Sequence, residues 1–392
     1  MTNRRRAALI IIICALLSAA LILPQTLWAP PRSVVSGGDG SGDPTPETEI
    51  DLRDKGGQPG ACDATKAAAN DAAWTAALAD LAAPPAGTRE TGGKINLGRN
   101  VWCFGHTVFV KDKVQVYGDG ARPARIEALA RFSDTTVNEK TGLPVNVLVE
   151  LGNGNGSRQS FAFHSFIENV VIDANSVPGL VPLFSQQANE GGGVDQLLIT
   201  GFTDIGVWFA TGSSGIRFTN SEVYGDAGAG VNGSVRLESW LVNRIDNITV
   251  NHTSGMAPDS SGIWFNGLDG TIWTGSALHC EFVETCIKHT NSDTVLSSLQ
   301  GHDSVTNVAT YDAGSAGTVS NVINGCCDGG SDFTVKDATP GGKNFTSRVI
   351  GPYKIASDRP VVTGSRAVLG PQLSTVIQVQ GDHGLVNDQT TP

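Results

Sequence analysis

The chain has 392 residues and a formal net charge of −11, with 48 glycines, 40% hydrophobic residues and only 17% charged residues. The hydrophobic fraction is sufficient for a packed core, which excludes a disordered chain. The acidic balance argues against a nucleic-acid partner, because phosphate binding needs a basic face, and a polyanionic ligand would need a local basic patch or a bridging cation.

The N-terminus predicts an exported protein. A basic start, MTNRRR, precedes an apolar run at 7–23. This pattern is typical of a signal peptide cleaved after Ala29 or of a single membrane anchor, and both alternatives stay open. We therefore expect residues 1–29 to be a signal peptide or signal anchor and residues 30–49 to be a flexible Pro/Gly/Ser linker. Residues 50–392 would then form an extracellular domain, secreted or held at the cell surface by the apolar run.

Cysteine usage agrees with export. Cys14 lies in the leader, and the remaining cysteines are Cys62, Cys103, Cys280, Cys286, Cys326 and Cys327. An even number of cysteines in an exported chain favours disulfides, although the sequence does not determine their connectivity. The segment HCEFVETC also admits a zinc site, but no second ligand pair follows at the spacing of a zinc finger.

One helix is predicted, in the Ala/Leu/Trp-rich stretch from about Ala67 to Ala82. Trp74, Leu78 and Leu81 fall on one face of this helix, and two prolines follow it. After the helix, short apolar runs alternate with Gly, Asn, Asp and Ser, which indicates β-strands joined by turns.

A repeat runs through this β region. Similar strand-like phrases recur at steps of 23 to 28 residues, with a second strand-like piece between them. We mark each phrase by one residue: Asn169, Gln196, Asn220, Asn247, Gly275, Ser298, Asn321 and Arg348. A repeat of this length without helices predicts a solenoid of parallel strands, in which each coil buries its inner face by stacking on the next.

The predicted fold class is therefore all-β, a right-handed parallel β-helix solenoid with a short N-terminal capping helix. Right-handed is the usual hand of parallel crossover connections. A leucine-rich repeat would need a Leu spacing that is absent, and a sandwich or propeller would need more regular hairpin turns.

Five segments carry a family resemblance. In chain order they are DLRDKGGQPG, NDAAWTAALADLAA, GGKINLGRNVW, KVQVYGDG and IENVVIDAN. They resemble the start of the pectate-lyase-like superfamily of single-stranded right-handed β-helices. The resemblance implies that the helix caps the open N-terminal end of the solenoid and protects its first strand edge. The chain departs from the family pattern at Gln58-Pro59, in an insert that carries Cys62, and at 98–100, and these departures concern turns and capping.

A solenoid stacks equivalent residues of successive coils at about 4.8 Å, so recurring polar side chains form a strip suited to an extended polymer. The first and third places after each mark are mostly apolar, so the second and fourth places should face outward. In the middle coils these outward places hold Glu222, Tyr224, Asn251, His279 and His302. Just beyond the strand ends lie Asp226, His252, Glu281 and Asp303.

The polar strip predicts a saccharide groove with acid/base groups. Glycosidic hydrolysis uses two carboxyl groups, and Glu281 and Asp303 lie in adjacent coils at similar phase. His279 and His302 would tune these carboxyls or act as acid or base themselves. Substrate binding is assigned to the other strip residues: Glu222, Tyr224, Asp226, Asn251 and His252. Tyr224, Trp208 and Trp264 are candidate platforms for sugar rings.

Structural interpretations stand beside these assignments. Parallel β-helices carry polar ladders that only stabilise the coils, and Asn169, Asn220, Asn247 and Asn321 are expected to be turn or ladder residues. Trp264 and Trp273 are expected to pack inside the protein. The sequence predicts no metal site.

The function that follows is an exported or surface-tethered polysaccharide-degrading enzyme, with a glycoside hydrolase slightly ahead of a polysaccharide lyase. The polygalacturonase pattern is matched only loosely by Gly301-His302-Asp303, and no Asp cluster of the pectate lyase type is found. No cofactor is required, and Ca²⁺ enters only for a lyase. The alternatives are a non-catalytic carbohydrate-binding or cell-surface scaffold protein, and an adhesin or assembly element that forms a homotrimer.

Overall fold

The computed structural model describes residues 48–83, 91–119, 123–152, 161–239, 242–253, 257–267, 271–291 and 293–302, and strands at 307–311, 318–324, 335–337, 344–350 and 376–380. The predicted leader at 7–23 and nearly all of the predicted linker lie outside the described residues, as do Asp303, Cys326 and Cys327. Within the described part of the chain, no helix has the length and apolar character needed to cross a membrane.

The predicted helix is confirmed as α1, Ala64–Ala82, and it follows a short 3₁₀ helix at Leu52–Lys55. It begins three residues earlier than predicted because the side chain of Asp63 caps it, accepting a hydrogen bond of 2.9 Å from the backbone N–H of Lys66. The buried Trp74 donates from Nε1 to the backbone oxygen of Phe109 at 3.1 Å, which fixes the helix on the first coils.

Strands fill most of the remaining described chain. In chain order they are β1 Glu49–Asp51, β2 Gly93–Asn96, β3 Val101–Phe104, β4 Val108–Val110, β5 Val114–Tyr117, β6 Ala124–Ala128, β7 Thr135–Val137, β8 Pro144–Leu151, β9 Ala162–Phe163, β10 Phe166–Glu168, β11 Val170–Asp173, β12 Val181–Ser185, β13 Ala188–Asn189, β14 Gly193–Asp195, β15 Leu198–Phe202, β16 Val207–Phe209, β17 Arg217–Gly225, β18 Val235–Leu237, β19 Val242–His252, β20 Ser261–Asn266, β21 Ile272–Glu281, β22 Thr285–Asn291, β23 Asp293–His302, β24 Asn307–Tyr311, β25 Thr318–Asn324, β26 Val335–Asp337, β27 Asn344–Ile350 and β28 Val376–Gln380.

The strands form long parallel sheets whose neighbours come from successive coils. The long sheet runs β1-β2-β5-β10-β14-β17-β19-β21-β23-β25-β27-β28, and the second sheet runs β4-β8-β12-β16-β18-β20-β22-β24-β26. A short third sheet, β3-β6-β11-β15, joins the long sheet at β17. Among the described strand pairs only β7 and β8 are antiparallel. An all-β parallel β-helix with a short helix is therefore confirmed.

Left-handed backbone conformations mark the bends of the coils. Asn169 (φ 55°) and Gln196 (φ 53°) separate β10 from β11 and β14 from β15. Asn220 (φ 49°) and Asn247 (φ 53°) lie at the same phase inside the continuous strands β17 and β19. Asn tolerates this conformation better than most residues. The side chain of Asn247 also donates to Asn220 Oδ1 at 3.0 Å, so the expected asparagine ladder is confirmed here.

The predicted mark at Gly275 is wrong by two residues. Asp246 pairs with Ser276 and Ile248 pairs with Leu278, so Ala277 (φ 54°) lies opposite Asn247. Later marks shift as well, because Asn321 pairs with Leu296 rather than with Ser298 and with Ser347 rather than with Arg348. The corrected mark changes which residues share a column on the outer face.

Two disulfides link neighbouring segments of the solenoid. Cys62–Cys103 joins the segment before α1 to β3, and Cys280–Cys286 closes the turn between β21 and β22. The second bond confirms the disulfide interpretation of HCEFVETC and excludes zinc ligation by these two thiols. All four cysteines lie in the described part of the chain.

The outer face of the second sheet carries a ladder of aromatic rings and cations. The guanidinium of Arg236 lies 4.7 Å from the ring centroid of Trp208 and 4.9 Å from that of Trp264. Lys288 Nζ lies 4.5 Å from the Trp264 ring centroid. The buried Glu238 accepts from Arg236 Nε at 2.8 Å and from Trp208 Nε1 at 3.2 Å. This ladder therefore stabilises stacked coils.

Candidate active site

The corrected register places four residues of successive coils in one column, four places after each left-handed residue. Tyr224 of β17 pairs with Asn251 of β19, and Glu281 of β21 pairs with His302 of β23. Asn251 follows Val250, which pairs with Cys280, so Asn251 and Glu281 also lie opposite each other. We call this set, Tyr224, Asn251, Glu281 and His302, the fourth-place column.

A chain of polar contacts runs along this column. Asn251 donates from Nδ2 to the hydroxyl oxygen of Tyr224 at 3.1 Å and to Oε2 of Glu281. The other carboxylate oxygen, Glu281 Oε1, lies 3.4 Å from Nε2 of His279. Asn251 is 7% exposed, whereas the side chains of Glu281 and His279 are 25% and 26% exposed. The buried amide of Asn251 thus holds the carboxylate of Glu281 in place, while this carboxylate and the imidazole of His279 remain accessible from the outer face.

The backbone around Glu281 is held on both sides. Cys280 and Cys286 are fully buried, and their disulfide encloses Glu281 in a closed turn. The Cys280 sulfur packs so close to Gly262 that a Cβ built there would lie 2.7 Å from it. A glutamate held in this way keeps its direction, which acid/base catalysis requires.

His279 belongs to the neighbouring second-place column, not to the predicted fourth place. Glu222 pairs with Thr249, Thr249 pairs with His279, and His279 pairs with Gln300. Both places face outward, so the expected exposure of His279 agrees with the structure while its predicted stacking on Asn251 does not. His279 still reaches Glu281, because side chains two places apart on one strand lie on the same face.

The remaining predicted binding residues are dispersed. Glu222 is exposed but lies two coils from His279, at an expected strand-to-strand separation of about 10 Å. Asp226 is half-buried in the turn after β17, where its backbone N–H donates to Phe202. His302 is placed by its backbone opposite Glu281, and Asp303 lies outside the described residues.

The prediction that His252 binds substrate is contradicted by its burial. It stands at the fifth place of its coil, an odd place that faces the interior, and is 1% exposed. Its Nε2 lies 2.7 Å from the Ser234 hydroxyl, and its ring packs edge-on against Phe202. Burial lowers the pKa of His252 to about 4, so the ring is neutral in the folded protein at neutral pH.

The candidate tryptophan platforms lie elsewhere. Trp208 and Trp264 belong to the second sheet, and cations already cover their ring faces. Trp273 is fully buried, as expected for a packing residue. Tyr224, which is 37% exposed, is the aromatic side chain of the fourth-place column.

The second-place and fourth-place columns together offer acid/base groups and few cations. From β17 to β21 they hold no lysine or arginine, and their residues are Glu222, Tyr224, Thr249, Asn251, His279 and Glu281. Among the residues that the structure describes, no group of three or more His, Cys, Asp or Glu side chains is placed to hold a metal ion. Proton transfer by Glu281, His279 and Tyr224 is the chemistry that these side chains can perform.

No protein-family model and no curated protein matches this chain. Among solved structures, the chain is similar to ORF18 of Geobacillus virus E2, with a TM-score of 0.49 and 9% identity over 86% of this chain and 62% of that one. The chain thus spans less than two thirds of that protein.

Two further solved structures are similar at lower scores. The Streptococcus pneumoniae surface protein and adhesin PfbA has a TM-score of 0.38 and 11% identity, over 84% of this chain and 89% of that one. A 1,3-α-1,4-β-D-galactose-4-sulfate-3,6-anhydro-D-galactose-2-sulfate 4 galactohydrolase has a TM-score of 0.36 and 11% identity, over 77% of this chain and 71% of that one. These similarities carry no argument about the activity of this chain.

Proposed function

We propose that the chain is an exported or surface-tethered polysaccharide-degrading enzyme in which Glu281 is the central acid/base residue. The observation that supports this most directly is the contact chain from Tyr224 through Asn251 to Glu281 and His279. The carboxylate of Glu281 has an amide donor on one oxygen and an imidazole beside the other, an arrangement that suits proton transfer. The column runs along the stacking direction of the coils, which suits an extended polymer.

Export is proposed on two grounds. The basic, apolar N-terminal segment is typical of a secretory signal or anchor. The body carries two disulfides, and these persist in oxidising compartments outside the cytosol.

Hydrolysis is the favoured reaction, with Glu281 and Asp303 as the two carboxyl groups. Asp303 follows His302, which pairs with Glu281 in the adjacent coil. Asp303 itself lies outside the described residues, so its pairing with Glu281 is proposed from the sequence, and glycosidases use two carboxyl groups roughly 5–10 Å apart. The scarcity of lysine and arginine in the column favours a neutral polysaccharide over a polyuronate.

Elimination is the second candidate, and one specific observation favours it. Tyr224 and Glu281 are bridged by one amide, so an acid and a base stand on the same column without a second carboxyl. A lyase needs one group to remove the proton next to a carboxylate and another to protonate the leaving oxygen. His279 or Glu281 would serve as the base and Tyr224 as the acid.

The test is incubation of the purified chain with neutral and uronic polysaccharides. Hydrolysis releases reducing ends, whereas elimination also produces an unsaturated product that absorbs near about 235 nm. Glu281→Gln should lower kcat by about 10²–10⁴-fold in either case, as expected for loss of an acid/base group. Asp303→Asn should abolish hydrolysis only, and Tyr224→Phe should abolish elimination only.

Glu168→Gln is the matched control, because Glu168 is exposed on β10 of the same sheet, away from the column. It should retain full activity. Binding of a polysaccharide without turnover in either assay would refute the enzyme and support the scaffold alternative. Light scattering of the same sample tests the homotrimer.

A further inference from the structure

A buried carboxyl outside the candidate active site has no counter-charge among the described residues. Glu150 lies on β8 of the second sheet, opposite Phe184 of β12 and on the other face from the core residues Val149 and Leu151. It is 0% exposed, and within the described part of the chain neither of its oxygens has a hydrogen-bond partner of good geometry, although the side chains of Thr136 and Gln186 lie near enough to lower its pKa. A buried carboxylate without a counter-charge is strongly disfavoured, so this group needs a proton or a cation.

The antiparallel hairpin β7–β8 covers Glu150. Thr136 pairs with Val145 across the hairpin, and Glu139 lies in the segment that connects β7 to β8. Gln186 binds this segment through two hydrogen bonds, one from the backbone N–H of Glu139 at 3.0 Å and one to the backbone oxygen of Val137 at 3.0 Å. The hairpin is thus fixed above the strands at the position of Glu150.

Oxygen atoms of Glu150 and Gln187 lie near one point beneath this hairpin, and Gln187 links them to Glu139. A Cβ built on Gly152 would lie 3.4 Å from Glu150 Oε1 and 3.6 Å from Gln187 Oε1. Gln187 also donates from Nε2 to Glu139 Oε1 at 2.6 Å, and a Cβ built on Gly212 would lie 3.7 Å from Glu139 Oε2. Glu139 is only half-buried, which leaves a path from solvent.

The charged groups at this position, the carboxylates of Glu139 and Glu150, are both negative, so a cation would neutralise them. Among the described residues, neither Glu139 nor Glu150 forms an ion pair with a lysine, arginine or histidine. Burial, with a further contribution from the negative charge of Glu139, raises the pKa of Glu150 to about 7. Hydrogen bonding by the side chains of Thr136 and Gln186 lowers the pKa of Glu150 and offsets this increase only in part.

We propose that Glu139 and Glu150 bind one Ca²⁺ ion, with Gln187 Oε1 as a neutral ligand, and that the ion fastens the hairpin to the second sheet. Ca²⁺ prefers carboxylate and amide oxygens, accepts irregular geometry and completes its shell with water. Mg²⁺ demands a more regular octahedron and is held less well by such a set. The ion would stabilise the covering segment and would lie apart from the fourth-place column.

Limited proteolysis of the full chain tests this site. Lys140 is exposed in the covering segment, so trypsin cleavage after it reports opening of the hairpin. After removal of metals by a chelator, CaCl₂ should slow this cleavage, by about a hundredfold at 100 times the dissociation constant. MgCl₂ at the same concentration should protect less. Cleavage of a free peptide in the same tube corrects for any effect of Ca²⁺ on the protease.

Variants test whether Glu139 and Glu150 are responsible for the protection by Ca²⁺. Glu150→Gln and Glu139→Gln should each lose the protection by Ca²⁺, and titration calorimetry should show saturable Ca²⁺ binding for the unaltered chain but not for Glu150→Gln. Glu168→Gln should bind and be protected like the unaltered chain. The melting temperature of Glu150→Gln in chelator shows that it folds. Cleavage of the unaltered chain that is independent of Ca²⁺, or full protection of the Glu150→Gln variant, would overturn the proposal and leave a neutral buried acid.

Discussion

His252 should account for a defined part of the acid lability of this protein. Its ring is buried, Ser234 occupies Nε2, and among the described residues Nδ1 has no hydrogen-bond partner. A protonated ring would leave a buried N–H without an acceptor as well as a buried charge. The unfolded chain has no such restriction and takes up the proton near the ordinary pKa of about 6.5.

The size of the effect follows from the pKa shift. Burial lowers the pKa of His252 to about 4, and each unit corresponds to about 1.4 kcal/mol, so the full effect is about 3 kcal/mol. The folded pKa lies below the unfolded one, so the unfolded state binds the proton more tightly. Stability is therefore complete above about pH 6.5 and is lost progressively as the pH falls towards 4.

Urea unfolding at a series of pH values measures this loss. His252→Gln keeps a polar group within reach of Ser234 but does not titrate, so its free energy of unfolding should fall by about 3 kcal/mol less than that of the unaltered chain between about pH 7.5 and pH 4. His106, whose side chain is 74% exposed, is the control, and His106→Gln should follow the unaltered chain. Equal acid loss in the His252→Gln variant and the unaltered chain would refute the argument.

Two further predictions concern the backbone near the column. Gly275→Ala should lower the free energy of unfolding by about 3 kcal/mol or more, since its Cβ would lie 1.8 Å from the backbone oxygen of Ile245, and an unchanged urea midpoint would contradict this packing. Replacing Cys280 and Cys286 together by alanine should remove about 2 kcal/mol of stability, as expected for a short closed loop, and should lower kcat more than it raises KM, which steady-state kinetics on the active polysaccharide would show.

The solenoid could be predicted because its coils repeat a local signal. Asn169, Asn220 and Asn247 mark bends, since asparagine adopts the left-handed conformation more readily than most residues. The left-handed residue of the next coil, Ala277, could not be predicted, because alanine is not a typical turn residue. The nearby Gly275 is a typical turn residue and was marked instead, but in the structure a glycine is needed there because the backbone of the neighbouring strand lies too close for a Cβ.

An error of two residues has a particular consequence in a strand. The shift preserves the face, so the prediction that His279 lies on the outer face agrees with the structure. It moves the register by about 7 Å along the strand, so the neighbours change. Glu281, rather than His279, stands beside Asn251 on the fourth-place column. Residue types and face could thus be obtained from the sequence, but contacts could not.

Glu150 shows what repeat periodicity leaves out. Strand alternation puts this residue on the outer face of the second sheet, where a glutamate is ordinarily solvated. Its burial comes from an antiparallel hairpin between coils, which interrupts the parallel pattern and leaves no trace in the spacing of the marks. A carboxyl placed outward and then covered must take up a proton or share a cation. The neighbouring Glu139 makes the cation the more favourable outcome, because one divalent ion neutralises both carboxylates while a single proton neutralises only one.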